Sequence, residues 1–336
     1  MKRIAINGFG RIGRLTFRAL QNRPDVEVVA INDLTDNKTL AHLLKYDSAH
    51  GRFAGTVEHT DNELIVNGKA IRALAVRNPT ELPWGEMGID VVLECTGLFL
   101  DRAKAGMHLE AGAKKVLISA PAKGEDIPTV VMGVNHKNLT GAETIISNAS
   151  CTTNCLAPMV KVLEDNFTIV QGSMTTTHAY TQDQRLQDAP HADLRRARAA
   201  AFSIIPTSTG AASALKLVIP SVKNKISAIS FRVPILTGSV TELNVFVEKD
   251  TTVAEVLAKF KTASENELKG VLEFCTDEIV SADIVNSPYS CVLDTDLVQV
   301  NGKLIKLIGW YDNESGYSTR LADLACYVTA NEAVAV

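Results

Sequence analysis

The segment Asn7-Gly8-Phe9-Gly10-Arg11-Ile12-Gly13 carries three glycines at the spacing G-x-G-x-x-G. It follows a short β-branched run, Lys2 to Ile6, and opens a helix-like stretch with Leu15, Phe17 and Leu20 that ends before Pro24. A second strand candidate, Val26 to Ile31, completes a βαβ unit. In such a unit Gly8 permits the tight turn, Gly10 lets a pyrophosphate approach the backbone, and Gly13 allows close helix–strand contact. The helix N-terminus offers free amides and the positive end of its dipole to phosphates. Asp33 lies twenty residues past Gly13, at the end of the second strand, where a carboxylate holds ribose hydroxyls. Its charge repels an extra ribose phosphate and so favours NAD over NADP. A glycine turn that merely packs, with Asp33 capping a loop, is the competing reading, and the combined context weighs against it.

Further strand candidates follow at Val91 to Glu94, Val116 to Ser119, Thr129 to Gly133 and Thr144 to Ser147, with a helix over Arg102 to Ala111. Alternating helices and strands describe an α/β fold with a Rossmann-type, doubly wound parallel sheet. After Asn148 the character changes. Cys155 to Asn166 reads as an amphipathic helix, and longer strands are expected at Ile169 to His178, Ile226 to Val233 and Thr241 to Glu248. The alternation of Leu243, Val245 and Val247 suggests an α+β domain whose sheet is mainly antiparallel with one covered face. Thr252 to Ser264 reads as a helix, Leu304 to Tyr311 as a strand and Gly316 to Ala330 as a final helix. A length of 336 residues accommodates two such domains.

A formal net charge of -4 gives no bulk attraction to nucleic acid or anionic membrane. The apolar run at the start is too short for a secretory signal, and no apolar stretch approaches the roughly 18 residues of a spanning helix. The expectation is a cytoplasmic protein with no nucleic-acid or membrane partner. Six cysteines are too sparse for a disulfide framework. Cys95, Cys275, Cys291 and Cys326 sit singly in apolar surroundings and read as packing residues.

Cys151 and Cys155 stand apart, in Ser147-Asn148-Ala149-Ser150-Cys151-Thr152-Thr153-Asn154-Cys155. The polar stretch before an apolar-periodic helix puts Cys151 at or near a helix N-terminus, where the dipole lowers a thiol's pKa. Cys155 falls one turn further in. A Cys-x-x-x-Cys metal pair lacks a second pair of ligands nearby, so no metal is expected. A reactive thiol needs a base or cation, and His178, at the end of a strand, is the candidate. A lone histidine at a strand end is more often structural.

The segments INGFGRIGR, SNASCTTNC, HAYT, DLRRARAAA, IPTSTGAA and WYDNESGY together resemble the glyceraldehyde-3-phosphate dehydrogenase family, in order from Lys2 to about Ala330. The resemblance implies a dinucleotide domain over residues 1–150, a catalytic domain over 151–315 and a helix, 316–336, packed back on the first. It implies Cys151 as nucleophile and His178 as its base. Thr181 and Arg232 correspond to the site for the substrate's phosphate. Ser150, Thr152, Thr209 and Gly210 correspond to the site for attacking inorganic phosphate, and Arg196 to a further substrate contact. For NAD, Gly8, Gly10, Arg11, Ile12 and Gly13 correspond to the pyrophosphate loop and Asp33 to the ribose ligand. Arg77 and Ser119 correspond to further cofactor contacts, and Asn313 and Tyr317 to residues beside the nicotinamide. A homotetramer acting on glyceraldehyde 3-phosphate and phosphate, in glycolysis, is implied as well.

The chain departs from the family pattern in two places. Ala189-Pro190 stands where NAD-selective relatives often have Leu-Pro, and Arg232-Val233-Pro234-Ile235-Leu236 replaces a more usual Pro-x-Pro-Asn version while keeping the arginine. The nearest rival activity is an erythrose-4-phosphate dehydrogenase, in which water attacks the thioester. A partner-binding or RNA-binding module, and a thiol acyltransferase without redox chemistry, are disfavoured by the charge and by the first domain.

Overall fold

The computed structural model describes residues 1–331. The chain divides into two compact units. One contains residues 1–130, 137–149 and the stretch from Ser318 onward; the other contains 131–136 and 150–317.

The first unit is built on an eight-stranded sheet. Its strands are β1 (Lys2–Asn7), β2 (Val26–Asn32), β3 (Val57–His59), β4 (Glu63–Val66), β5 (Lys69–Leu74), β6 (Val91–Glu94), β7 (Lys115–Ile118) and β8 (Ile145–Ser147). The order is β3-β4-β5-β2-β1-β6-β7-β8. From β5 to β8 all neighbours are parallel, while β3, β4 and β5 form an antiparallel edge. Helices α1 (Arg11–Leu20), α2 (Asn37–Lys45) and α3 (Arg102–Glu110) accompany the parallel strands. The chain winds outward from β1 to β2 and β5, then returns to β6 on the other side. The carboxyl end of β1 is therefore a topological switch point, where open α/β sheets take their ligands. One core cluster gathers Ala5, Ala30, Trp84, Ile89 and Val92; another joins Ala105, Val116, Ile118, Ile127 and Ile145.

Two differences from the sequence reading have physical causes. The edge strands β3 to β5 were not expected, because short, half-polar segments such as VEH and KAIRAL carry little periodicity. Conversely Thr129 to Gly133 is no strand: Thr129 makes one isolated bridge to Ser147, and Val131 begins a segment that belongs to the second unit.

In the second unit α4 (Cys151–Phe167), α5 (Ala211–Val218) and α6 (Val253–Glu265) accompany a sheet ordered β10-β11-β9-β12-β16-β14-β13. The strands are β9 (Ile169–Ala179), β10 (Ile205–Thr207), β11 (Ile226–Val233), β12 (Ser239–Val247), β13 (Leu272–Cys275), β14 (Cys291–Asp294) and β16 (Leu304–Tyr311). The short β15 (Gln299–Asn301) pairs with β16. Leu243, Val245 and Val247 are buried, whereas Phe246 is 46% exposed, so β12 has one covered face. Most pairs are antiparallel, but β9 runs parallel to β11 and β13 to β14. The long connection between β9 and β11, which includes α5, returns the chain to the same sheet end. A final helix, α7 (Ser315–Ala330), begins in the second unit and continues in the first, where Asp323 pairs with Arg23. The sequence reading carries this helix to residue 336; residues 332–336 lie outside the described residues.

Candidate functional site

In the first unit the glycine loop joins β1 to α1. Gly8 sits at φ 90°, a left-handed conformation, and a Cβ there would meet Thr96 N at 2.7 Å. A Cβ on Gly13 would lie 2.2 Å from Gly8 O, so only glycine lets α1 approach β1 this closely. Above Gly10 a Cβ would meet nothing within 4 Å, and no side chain caps the helix there. Open space over uncapped first-turn amides suits a pyrophosphate. Asp33 lies beside the loop: its Oδ2 accepts Phe9 N at 2.8 Å and its Oδ1 accepts Thr35 N at 3.0 Å. A carboxylate so placed retains lone pairs for diol hydroxyls. The residues present therefore fit a dinucleotide.

Other positions are less open. The Arg11 side chain is turned to Asp47, at 2.6 Å, and lies 3.2 Å from His50 Nδ1, which leaves its backbone as the part facing the loop. Arg77 is exposed beyond β5. Ser119 follows β7, where its hydroxyl bonds to Cys95.

In the second unit Ser150 caps α4: its hydroxyl accepts Thr153 N at 3.0 Å, leaving Cys151 as the first helical residue. The turn before it runs through Ala149 at φ 56°, a conformation that costs an L-residue free energy. Cys151 is half-buried and its Sγ lies 3.4 Å from His178 Nε2. His178 sits near the end of β9, opposite Arg232 of β11 in the parallel register. Of its two neutral tautomers, the one that donates Nδ1–H to Ala179 O, 2.6 Å away, presents a bare Nε2 to the sulfur. Arg232 Nη1 approaches Nδ1 to 2.8 Å and donates to Ala179 O at 3.2 Å.

Burial, and then the charges of Arg232 and Arg196, hold the His178 pKa down to about 3. The imidazole is thus neutral at physiological pH. Burial also raises the Cys151 thiol above its ordinary value, opposed by Arg232 and by bonds from Thr152 and the first-turn amides. The direction is opposite to the one expected from the helix start, and its cause is burial of the thiol. Cys155 is fully buried beside Cys291, with its Sγ 3.6 Å from Gly309 O, and burial pushes its pKa higher still.

The anion-binding candidates are unequal. Thr209 and Gly210 stand at the N-terminus of α5, which packs on α4, and a Cβ on Gly210 would approach nothing nearer than Ser213 Oγ at 3.8 Å. Thr181 is half-buried just past β9, its amide near Gln184 Oε1 at 3.4 Å. Arg196 is engaged by Asp183 and donates to Thr207 Oγ1 at 3.0 Å. Thr152 is buried with its hydroxyl 3.0 Å from the Tyr311 hydroxyl, and it also bonds to the Cys151 sulfur. Asn313 accepts Ser239 Oγ at 2.8 Å, which fixes its carboxamide with the nitrogen end turned away; Tyr317 is buried.

Sequence reasoning missed two supports. Tyr311 bridges Thr152 and Thr176, at 3.0 and 2.8 Å, and packs edge-on to His178 at 5.9 Å between ring centres. Asp312 accepts Thr237 Oγ1 at 2.8 Å and the amides of Asn286, Glu314 and Ser315 at 2.9 Å each, anchoring the turn that bears Asn313. Only the aspartate before a helix start hinted at the second of these.

Residues 2–102 match the model of the glyceraldehyde 3-phosphate dehydrogenase NAD binding domain, and 150–313 match that of the C-terminal domain. The chain belongs to the glyceraldehyde-3-phosphate dehydrogenase family. It is 58% identical over 333 residues to the glyceraldehyde-3-phosphate dehydrogenase of Mycobacterium tuberculosis, covering 97% of this chain and 98% of the relative. Identity to the enzyme of that name from Streptomyces coelicolor is 56% over 330 residues, with the same coverage. For that of Geobacillus stearothermophilus it is 56% over 330 residues, covering 98% of both chains. The erythrose-4-phosphate alternative gains no support from these names. A family domain described as NAD-binding implies a nucleotide cofactor for the glycine-loop unit.

Proposed function

We propose that this chain oxidises glyceraldehyde 3-phosphate to an acyl phosphate, with NAD and inorganic phosphate as co-substrates. The observation that carries this reading is the Cys151 thiol 3.4 Å from Nε2 of a neutral His178. The Cys151 proton passes to Nε2 as sulfur adds to the aldehyde carbon, and returns to the new oxyanion to give a hemithioacetal. Nε2 then takes the hydroxyl proton back while the carbon loses hydride. Bound NAD supplies the hydride acceptor. The resulting thioester keeps the acyl group activated. A phosphate oxygen attacks its carbonyl, the carbon–sulfur bond breaks, and Cys151 leaves as thiolate to be reprotonated.

Two oxyanion sites serve this sequence. Arg232 and Thr181, with Arg196, suit the substrate's own phosphate, because guanidinium and hydroxyl donors form charge-assisted bonds. Ser150, Thr152, Thr209 and the open Gly210 suit the attacking phosphate at two helix N-termini. For the cofactor, Gly8, Gly10, Arg11, Ile12 and Gly13 hold the pyrophosphate, Asp33 selects NAD, and Arg77, Ser119, Asn313 and Tyr317 add contacts.

The homotetramer belongs to the same reading. Leu186, Leu194, Phe202 and Ile204, on the segment before β10, are 80%, 81%, 89% and 68% exposed, and a second copy would cover them. A cytoplasmic location is proposed on six free thiols. Among the described residues no helix is long and apolar enough to cross a membrane. The test is NADH formation from glyceraldehyde 3-phosphate with phosphate present or omitted, and with erythrose 4-phosphate as a second aldehyde. Turnover that ignores phosphate, or that prefers erythrose 4-phosphate, overturns the reading.

A further inference from the structure

Beneath the glycine loop lies a polar network that the chemistry above does not use. Glu94, the last residue of β6, is 1% exposed, and His108 of α3 is fully buried. Trp84 Nε1 donates to His108 Nδ1 at 3.1 Å, so the ring's hydrogen sits on Nε2, 3.1 Å from Glu94 Oε2. The same oxygen accepts Asn7 Nδ2 at 2.6 Å. Glu94 Oε1 accepts Thr96 N at 2.7 Å and also the Thr96 hydroxyl. Asn7 Oδ1 accepts Asn32 Nδ2 at 2.7 Å, and Asn32 Oδ1 accepts Val76 N at 2.8 Å.

Each strand-borne member ends its strand. Asn7 precedes Gly8, Asn32 precedes Asp33, and Glu94 precedes the turn of Cys95 and Thr96. The network therefore links, residue by residue, the roots of the loops at the carboxyl ends of β1, β2 and β6. Tolerances there are small, since a Cβ on Gly8 would already stand 2.7 Å from Thr96 N. A buried carboxylate is an expensive way to stabilise a core, and apolar residues of similar volume often do as well. What apolar packing lacks is direction, which donors and acceptors on adjacent strand ends provide.

We propose that Glu94 and His108 are positioning residues for the dinucleotide, fixing the placement of Gly8, Asp33 and Thr96 relative to one another. This rests on the reading that the glycine loop and Asp33 bind NAD. Glu94→Gln keeps the shape but turns an amide nitrogen toward donors. Trp84→Phe keeps an aromatic core residue and removes only the donor that sets the His108 tautomer.

The test compares both variants with the wild-type full chain by calorimetric NAD titration, thermal unfolding and the iodoacetamide labelling rate of Cys151 without cofactor. Glu94→Gln raises the Kd for NAD about tenfold and Trp84→Phe about threefold, as expected for loss of one hydrogen-bonded partner. The KM for NAD rises by more than kcat falls, and Cys151 labelling keeps its wild-type rate. Folded variants that bind NAD with wild-type Kd, whatever their unfolding temperature, overturn the proposal and leave the network a purely structural device. Should Glu94→Gln fail to fold, Trp84→Phe decides alone. A wild-type chain that does not bind NAD sinks the dinucleotide reading itself, a result distinct from unchanged variants.

Discussion

Arg232 and His178 are register partners on adjacent parallel strands, with Nη1 of one 2.8 Å from Nδ1 of the other. The pairing gives the arginine two tasks. Its guanidinium is a candidate ligand for a phosphate, and its charge opposes protonation of the imidazole while favouring the Cys151 thiolate. A histidine kept neutral is ready to accept a proton; one kept charged could only give one.

Acid stability follows from the same contact. In the unfolded chain His178 binds a proton near pH 6.5, whereas in the fold it does so only near pH 3. Between those values the unfolded state holds more protons, so the stability contributed by this group is present above about pH 6.5 and is lost as pH falls toward 3. The slope of unfolding free energy in that window is at most about 1.4 kcal/mol per pH unit from one group. Denaturant titrations from pH 7 to pH 4 are expected to show wild type losing stability faster than His178→Asn. Parallel curves refute a neutral, buried His178.

Arg232→Ala is expected to raise the KM for the phosphorylated aldehyde about ten- to hundredfold, the worth of a charge-assisted bond, while unphosphorylated glyceraldehyde is much less affected. Because the guanidinium also favours the thiolate, the variant's iodoacetamide labelling curve shifts to higher pH. Steady-state kinetics on both aldehydes, with the labelling profile, separate the two tasks. Equal loss on both aldehydes with an unmoved profile assigns Arg232 to the scaffold.

Much of this was legible in the sequence, though unevenly. The βαβ unit and the capped start of α4 could be read because apolar period, glycine spacing and Ser150 are local signals. The Cys151–His178 pair was legible through its helix end and strand end. Arg232 entered only by resemblance, because a parallel register between strands more than fifty residues apart leaves no local trace. The burial that raises the Cys151 thiol is likewise invisible to a local reading, because it is a property of the assembled sheet. His108 leaves no local signal either, because Trp84, Glu94 and Asn7 reach it from three separate segments.

Cofactor choice is expected to follow Asp33. Asp33→Asn keeps an acceptor for Phe9 N but removes the charge; Asp33→Gly removes both. Each substitution lowers kcat/KM for NAD, by about tenfold for the loss of charge-assisted ribose bonds, and narrows the gap to NADP. Asp33→Gly also loses loop order and falls further. The ratio of the two specificity constants is the measurement, and an unchanged ratio in Asp33→Asn rules out selection by this carboxylate.

The two thiols of α4 offer the sharpest discrimination. Cys151 opens the helix, half-buried, with a base at 3.4 Å; Cys155 is one turn inside, enclosed with Cys291 and Gly309. Burial raises both thiols, and Cys155 the more, so only Cys151 has both access and a proton acceptor. Stoichiometric iodoacetamide is therefore expected to label Cys151 and abolish NADH formation. Since the thiol pKa is raised, the rate climbs with pH through the alkaline range instead of levelling off at neutrality. His178→Asn removes the acceptor and slows labelling at neutral pH. Cys155→Ser places a hydroxyl where the thiol was packed; it retains most activity while losing about 1–2 kcal/mol of stability, the scale for a polar group imperfectly bonded in a core. Fragment-ion mapping of the labelled peptide distinguishes the two positions although one tryptic fragment carries both. Label on Cys155, or full activity in Cys151→Ser, would show that the thioester chemistry proposed for this chain is wrong.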